Sequence, residues 1–366
     1  MSSSRALKLK KIPGGKVSHK PKSANIFIAG VGAVGGALIN QFNKLDNEKY
    51  DLNVIGFCNS TKVIWRGNEI TPDELYGGKA KRWDDIVQKL IDYKDDERPL
   101  IFVDATGSME VAQLYLELLE NGIHVVTPSK LANTIEQAYY DSLKRASGKN
   151  GVQYHYETTV GAALPVIQAI VNFIETGDEI IEISGVVSGT MTYLFNQLEN
   201  GTRFSHAVVK ARSLGYAEPD PRDDLSGEDV ARKFLIIART CGLVLERSDI
   251  EVESLIPENL AGVDANSFLS LFSDYDQKWS ERIELEQKNG RTLRYAGLFR
   301  DGKIRVGIDP VEKSSALGQL TGTNNLIQIK TRRYYDQPLI IQGPGAGKEV
   351  TAAGVLADIQ KILKGR

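Results

Sequence analysis

The stretch Asn25-Ile-Phe-Ile-Ala-Gly-Val-Gly-Ala-Val-Gly-Gly36 constrains the fold of this chain more than any other. Asn25 to Ala29 is apolar and predicts a short buried strand. Ala37 to Leu45 carries helical spacing through Leu38, Ile39, Phe42 and Leu45. The glycines between them need a tight turn at Gly30, close approach of a ligand's phosphates at Gly32 and close helix–strand packing at Gly35. Free N–H groups at the helix start would hold the anion. Gly30, Gly32, Ala33, Val34 and Gly35 are therefore expected against a dinucleotide. A lone G-x-G-x-x-G is weak evidence, and the residues that follow supply its context. Strands are expected at Leu52–Phe57, Leu100–Asp104, Ile123–Thr127 and Val152–Glu157. Helices are expected at Trp83–Tyr93, Met109–Asn121 and Asn133–Ser147. Such alternation predicts the α/β class, with a doubly wound parallel, Rossmann-type sheet.

The end of the second strand bears on cofactor choice. An NAD site usually places Asp or Glu there for the ribose hydroxyls. This chain has Gly56-Phe-Cys-Asn-Ser-Thr-Lys62, with no acid. Asn59, Ser60, Thr61 and Lys62 suit a 2′-phosphate, so NADP is favoured over NAD; ordinary loop residues are the alternative. Thr106 and Ser108, after the third long strand, either contact the cofactor or cap the next helix. Lys130, in Thr127-Pro-Ser-Lys130, lies at the same sheet edge and is either a site residue or a solvated loop lysine.

Beyond about residue 158 the alternation stops. Thr159–Pro165 opens an apolar helix to Ile174, Glu179–Val187 reads as a strand, and helices are expected at 190–195, 204–214 and 268–287. Four further strands are expected at 293–298, 303–308, 326–329 and 339–341. This predicts a second, α+β substrate and dimerisation domain at 158–342. The dinucleotide domain, 23–157, would be rejoined by 343–366, whose turn Gly343-Pro-Gly-Ala-Gly347 leads into a last helix. Residues 1–22 carry seven Lys or Arg and no acid, and read as a flexible basic arm.

The stretch Gly215–Lys233 holds six carboxylates. Ser226 is the expected N-cap of a helix whose first turn is Gly227, Glu228 and Asp229. Asp229 and Lys233 are four apart and share a helical face with Ile236 and Ile237. Read alone, the pair is either a surface salt bridge, with Asp229 serving a capping box, or a charged pair placed for a substrate.

Composition excludes several classes. A net charge of -2 argues against a general nucleic-acid binder, and no apolar run approaches a membrane span. Two distant cysteines, Cys58 and Cys241, build no disulfide framework. The basic start lacks the apolar core of a secretory signal. A cytoplasmic protein is expected.

Several separate stretches then agree. Gly30–Gly36, Glu-Thr-Thr-Val-Gly-Ala-Ala-Leu-Pro at 157–165, Ser-Gly-Thr-Met-Thr-Tyr at 188–193, the acidic stretch at 215–233 and Gly-Pro-Gly-Ala-Gly at 343–347 resemble homoserine dehydrogenases. The likeness is greatest to the dehydrogenase half of bifunctional aspartate kinase–homoserine dehydrogenases. It runs from about residue 24 to the end, and 215–233 carries far more of it than the glycine turn. The resemblance implies NAD(P)-dependent interconversion of homoserine and aspartate 4-semialdehyde, on the route to threonine and methionine. It implies Lys233 as the catalytic lysine, Lys130 as a second lysine near the nicotinamide, and Glu218 and Asp229 on the substrate; Asp224 is expected beside them, with ordering of Arg222 and the loop as the alternative for Asp220, Asp223 and Asp224. It also implies Gly347 as a late cofactor contact. A monovalent cation, usually sodium, is implied at Glu157, Val160, Ala162 and Leu164, and a homodimer or homotetramer as the assembly. Ala163 departs from the family, which commonly has glycine there. The kinase half has no counterpart in the sequence, and the basic arm would correspond to the junction with it.

The chemistry is consistent with that reading. Homoserine carries an ammonium, a carboxylate and a primary alcohol. Carboxylates suit the ammonium, and a lysine ammonium stabilises and protonates the oxygen that gains charge as hydride arrives. Burial would lower the pKa of Lys233 and Asp229 would raise it. Two rivals make different demands. A semialdehyde dehydrogenase needs a thiolate, from Cys58 or Cys241. A non-catalytic NADP sensor would keep the glycine turn and have no need of Glu218, Asp229 and Lys233 together.

Overall fold

The computed structural model describes residues 21–46, 48–65, 78–95 and 97–365. All of the basic arm except Pro21 and Lys22 lies outside these. In the first half, strands β1 (Lys22–Ala29), β2 (Tyr50–Cys58), β3 (Lys62–Trp65), β4 (Lys79–Ala80), β5 (Leu100–Asp104), β6 (His124–Val126) and β7 (Tyr154–His155) form one sheet. Its order is β4-β3-β2-β1-β5-β6-β7. Helices α1 (Ala33–Phe42), α2 (Trp83–Tyr93), α3 (Met109–Gln113), α4 (Tyr115–Glu120) and α5 (Gln137–Asn150) connect the strands.

The parallel doubly wound sheet is present in the five adjacent strands β2, β1, β5, β6 and β7, with β1 hydrogen-bonded in parallel to both β2 and β5. One edge departs from expectation. β3 and β4 add antiparallel strands beside β2, so the whole sheet is mixed. Both faces are buried because successive side chains alternate. Ile26 and Ile28 pack with α1 and the last helix, while Phe27 and Ala29 pack toward α2 to α5. The strand order reverses between β1 and β5. The crevice outside the carboxyl ends at such a switch point is where ligands bind in open α/β sheets.

The second half holds α6 (Val166–Glu175), β8 (Ile180–Val186), α7 (Gly189–Glu199), α8 (Phe204–Ser213), α9 (Arg222–Leu225), α10 (Glu228–Thr240), β9 (Ile250–Val252), α11 (Ala265–Leu271) and α12 (Asp276–Lys288). β10 (Arg291–Arg300), β11 (Lys303–Glu312), β12 (Asn324–Thr331), β13 (Leu339–Pro344) and α13 (Lys348–Lys364) follow. The second sheet has the order β13-β12-β8-β10-β11-β9 and is antiparallel except between β11 and β9. On α10, Phe234 is fully buried and packs onto Gly297 of β10, where a Cβ would lie 2.2 Å from the ring. That contact seats the helix carrying Asp229 and Lys233 on the second sheet. α13 returns to the first sheet, burying Ala352, Val355 and Ile359 with Ile26, Leu38 and Ile101.

Several expected boundaries move. α1 starts at Ala33, inside the glycine turn, because Gly32 already serves as its N-cap. The helix expected at 109–121 is broken at Leu114. Ser226 is the last residue of α9's cap, and Gly227 is the N-cap of α10. Gly227 has φ +78°, and a Cβ there would sit 1.9 Å from Tyr295 Oη. Only glycine takes that backbone without strain, so the helix starts one residue later than the Ser226 pattern suggests.

Candidate active site

A cleft of about 660 Å³ opens where the two sheets meet at the carboxyl edge of the first. It brings together Lys130 after β6, Glu218 and Asp224 before α10, Asp229 and Lys233 on α10, and Gly347 at the start of α13. Val34, Thr106 and Ala162 line it as well. Such a volume suits a small ligand beside part of a cofactor.

Asp229 is the electrostatic centre. Lys233 Nζ lies 2.7 Å from Asp229 Oδ2, and Lys130 Nζ lies 3.3 Å from Asp229 Oδ1. Arg232 stands at 4.0 Å. Lys233 also donates to the Val187 carbonyl oxygen at 2.7 Å. Its side chain is 12% exposed, so the pair is not a solvated surface bridge. Nor does Asp229 cap its helix, since its carboxylate is turned to the lysines. Burial lowers the Lys233 pKa and outweighs the opposing pull of Asp229, with Lys130 adding to the fall. Burial would raise the Asp229 carboxyl, but Lys233 and Lys130 together hold it well below the usual range. An ammonium that sheds its proton more easily than an ordinary lysine is suited to acid–base work near neutrality.

The loop before α10 is ordered by its own charges. Asp224 Oδ2 accepts from the Glu218 N–H at 2.8 Å. Burial raises the Asp224 pKa, with the charge of Glu218 adding to it. Glu218 is exposed to the cleft. Arg222 is held by Asp220 at 2.6 Å and donates to the Val263 carbonyl oxygen, so Asp220 orders the loop.

The glycine turn has the shape of a phosphate cradle. A Cβ on Gly30 would lie 2.8 Å from Ala105 O, and one on Gly35 would lie 1.9 Å from Gly30 O, whereas Gly32 faces open space. The three positions thus meet the turn, approach and packing demands read from the sequence. A second cavity, of about 370 Å³, lies beside the turn. Gly30, Gly32, Asn59 and Thr106 line it, and Thr106 is common to both cavities. The Asn59 side-chain oxygen accepts from the N–H groups of Thr61 and Lys62, closing the loop after β2. Thr106 donates to Asp104 at 2.6 Å and so shapes its own turn, while Ser108 holds the N-cap position of α3 without a side-chain cap.

Glu157, Val160 and Leu164 line neither cavity, whereas Ala162 lines the larger one. The Glu157 carboxylate accepts from Ile167 N at 2.7 Å, Gln168 N at 3.0 Å and Lys361 Nζ at 3.2 Å. Lys361 bridges it to Asp358 at 2.9 Å. A carboxylate has about four acceptor sites, so one remains for a cation. Ala162 holds φ +52°, folding the chain tightly beside Glu157. The methyl of Ala163 faces Gly354 on α13, where a Cβ would come within 3.3 Å of it.

Among the described residues, Lys81, Arg232, Thr158, Asp358 and Lys361 were not singled out by sequence reasoning. Lys81 enters through the antiparallel excursion of β3 and β4, which has no signature in the alternating pattern. Asp358 and Lys361 carried a faint signal, an i,i+3 pair beside the apolar residues of α13. The thiol rival loses its basis. Burial pushes Cys58 up to about 11 and Cys241 up to about 12. Burial thus holds each thiol further from its thiolate than a free cysteine, the reverse of what an activated nucleophile needs.

The profile of the family described as "Homoserine dehydrogenase" matches residues 165–360, and that described as "Homoserine dehydrogenase, NAD binding domain" matches residues 30–157. A bifunctional aspartokinase/homoserine dehydrogenase from Haemophilus influenzae is 37% identical over 355 residues, covering 94% of this chain and 43% of that protein. The chain thus spans less than half the length of such bifunctional relatives. Homoserine dehydrogenase of Saccharomyces cerevisiae is 37% identical over 359 residues, covering 94% of this chain and 99% of that protein. A hyperthermophilic archaeal homoserine dehydrogenase, solved in complex with NADPH, superposes with a TM-score of 0.73 at 26% identity, covering 94% of this chain and 98% of that one. With both halves of its length matched and a full-length relative at this identity, the chain belongs to the homoserine dehydrogenase family.

Proposed function

We propose that the protein interconverts L-homoserine and L-aspartate 4-semialdehyde with a nicotinamide cofactor. The observation that carries this reading is a desolvated Lys233 bound to Asp229, in one cleft with Lys130, Glu218 and the edge of the glycine turn. The bound nicotinamide would supply or accept the hydride. The other steps belong to side chains of this chain. Asp229, expected on the substrate, has its carboxylate on the two lysines, which leaves Glu218 and Asp224 to take the substrate ammonium. Lys233 stabilises the oxygen that gains charge at the reacting carbon and gives it a proton, leaving a neutral amine for solvent to reprotonate. In the reverse direction the neutral amine takes the alcohol proton. Asp229 holds both lysines in place, and Lys130 adds a second positive charge beside the reacting oxygen. Positioning of the two reactants accounts for much of the acceleration.

NADP is the preferred cofactor, because the loop after β2 carries Asn59, Ser60, Thr61 and Lys62 and no acid. Gly30, Gly32, Ala33, Val34, Gly35, Asn59, Thr106, Lys130 and Gly347 would hold it. A monovalent cation, sodium by family resemblance, would be held at Glu157, Val160, Ala162 and Leu164, where it would share the Glu157 carboxylate with Lys361. Activity unchanged on full exchange of sodium for a bulky organic cation would exclude it. The division at 23–157 and 158–342, with 343–366 returning, is supported by the packing of α13 on α1. The second sheet is the pairing surface of a dimer or tetramer, and sedimentation as a monomer at working concentration would refute that. Both cysteines are unpaired, in keeping with a cytoplasmic enzyme; recovery in an organelle fraction would contradict it.

Steady-state oxidation of NADPH with aspartate semialdehyde tests the central reading. Lys233→Ala should lose roughly 10²-fold or more in kcat. Near-normal turnover by a folded variant would overturn the role of Lys233. Turnover that requires phosphate would point to the thiol rival, and binding without turnover to a sensor.

A further inference from the structure

The smaller cavity beside the glycine turn contains a cation that the strand–turn–helix pattern does not announce. Lys81 lines it together with Gly30, Gly32, Asn59 and Ser60. The backbone sets it there: the Lys81 N–H donates to Thr61 O at 2.8 Å, and Ala80 pairs with Lys62 across the β3–β4 ladder. Lys81 therefore stands against the loop after β2, where the adenosine ribose of a dinucleotide lies. Its Nζ is 4.2 Å from the ring centroid of Trp83, a distance at which the indole face attracts an ammonium. Trp83 lines the same cavity and is 6% exposed, and its indole N–H is buried with no hydrogen-bond partner among the described residues. A buried donor of that kind calls for an acceptor. The acid lining this cavity, Glu110, stands in the first turn of α3 and would repel a phosphate, whereas Lys81 is the cation among the described lining residues.

We infer that Lys81, held over the Trp83 indole, binds the 2′-phosphate of the cofactor and sets the preference for NADPH over NADH. The inference rests on the reading of a nicotinamide dinucleotide at the glycine turn, and its test needs no turnover. Fluorescence titration of the full chain with NADPH and NADH would compare wild type, Lys81→Ala and Lys81→Arg. Lys81→Ala should weaken NADPH binding about 10-fold or more, the scale of a lost charge-assisted hydrogen bond, and leave NADH within twofold. Lys81→Arg should retain most of the preference. In competition, 2′-AMP should bind wild type more tightly than 5′-AMP, and Lys81→Ala should abolish the difference. Equal losses for both cofactors, or NADPH binding unchanged in Lys81→Ala, would overturn the assignment. So would wild type binding NADH as tightly as NADPH. A protein that shows the preference, loses it in Lys81→Ala and turns over no semialdehyde would support this assignment while refuting the catalytic reading.

Discussion

Replacing Asp229 with asparagine separates the electrostatic role of this carboxylate from its shape. The amide is nearly isosteric, so α10 and the cleft keep their form while one charge disappears. Lys233 loses its closest stabilising group, at 2.7 Å, and keeps Lys130 and Arg232 as repelling neighbours. Two unit charges about 4 Å apart interact by about 4 kcal/mol at an effective dielectric near 20 and by about 1 kcal/mol in bulk water. Asp229 is 37% exposed, which draws the figure toward the lower end. At about 1.4 kcal/mol per pKa unit, the Lys233 pKa should fall by roughly 1–3 units. Semialdehyde reduction needs the ammonium, so activity is lost as pH rises through that pKa. The alkaline limb of the kcat profile, measured at saturating substrate, should therefore move to lower pH by the same interval in Asp229→Asn. Thermal melts would confirm that the variant is folded. A limb that stays in place or moves upward would refute the coupling and, with it, Lys233 as the titrating acid.

Two further outcomes concern stability. Gly227→Ala places a methyl at φ +78° against Tyr295 Oη and should destabilise the fold by about 1–3 kcal/mol in urea melts, with loss of activity following the shift of α10; an unchanged melt would contradict the N-cap geometry. Burial, aided by Lys361 and Lys144, lowers His155 to about 4 from 6.5. Between those values the unfolded chain binds a proton that folded His155 refuses, so stability falls as pH falls, by on the order of 3 kcal/mol. Asp104, raised by burial to about 6, acts with the opposite sign between its ordinary value of 3.8 and 6. Comparison with His155→Asn isolates the histidine, since that variant should lack its share of the slope; parallel pH dependences would refute the shift.

The sequence by itself determined what depends on near neighbours along the chain. The strand, glycine turn and helix were legible at 25–45, because a tight turn and close packing admit little but glycine at Gly30 and Gly35. The pairing of Asp229 with Lys233 was legible too, because helical geometry places residues four apart on one face. Lys130 was legible as a candidate at the sheet edge, the resemblance gave it a role and added Glu218, and the fold gathers both into one cleft. Tertiary structure alone decided the rest. Lys130 reaches Asp229 only because the edge of the first sheet meets a helix seated on the second. Whether burial or Asp229 governs Lys233 depended on how deeply α10 sinks and on the Val187 carbonyl that meets its ammonium. The N-cap of α10 moved from Ser226 to Gly227 because Tyr295, from a distant strand, occupies the space a side chain would need. Lys81 came to the cavity beside the glycine turn through an antiparallel edge that breaks the parallel pattern. Desolvation, charge proximity and steric exclusion depend on which distant residues meet, and periodicity along the chain does not encode that.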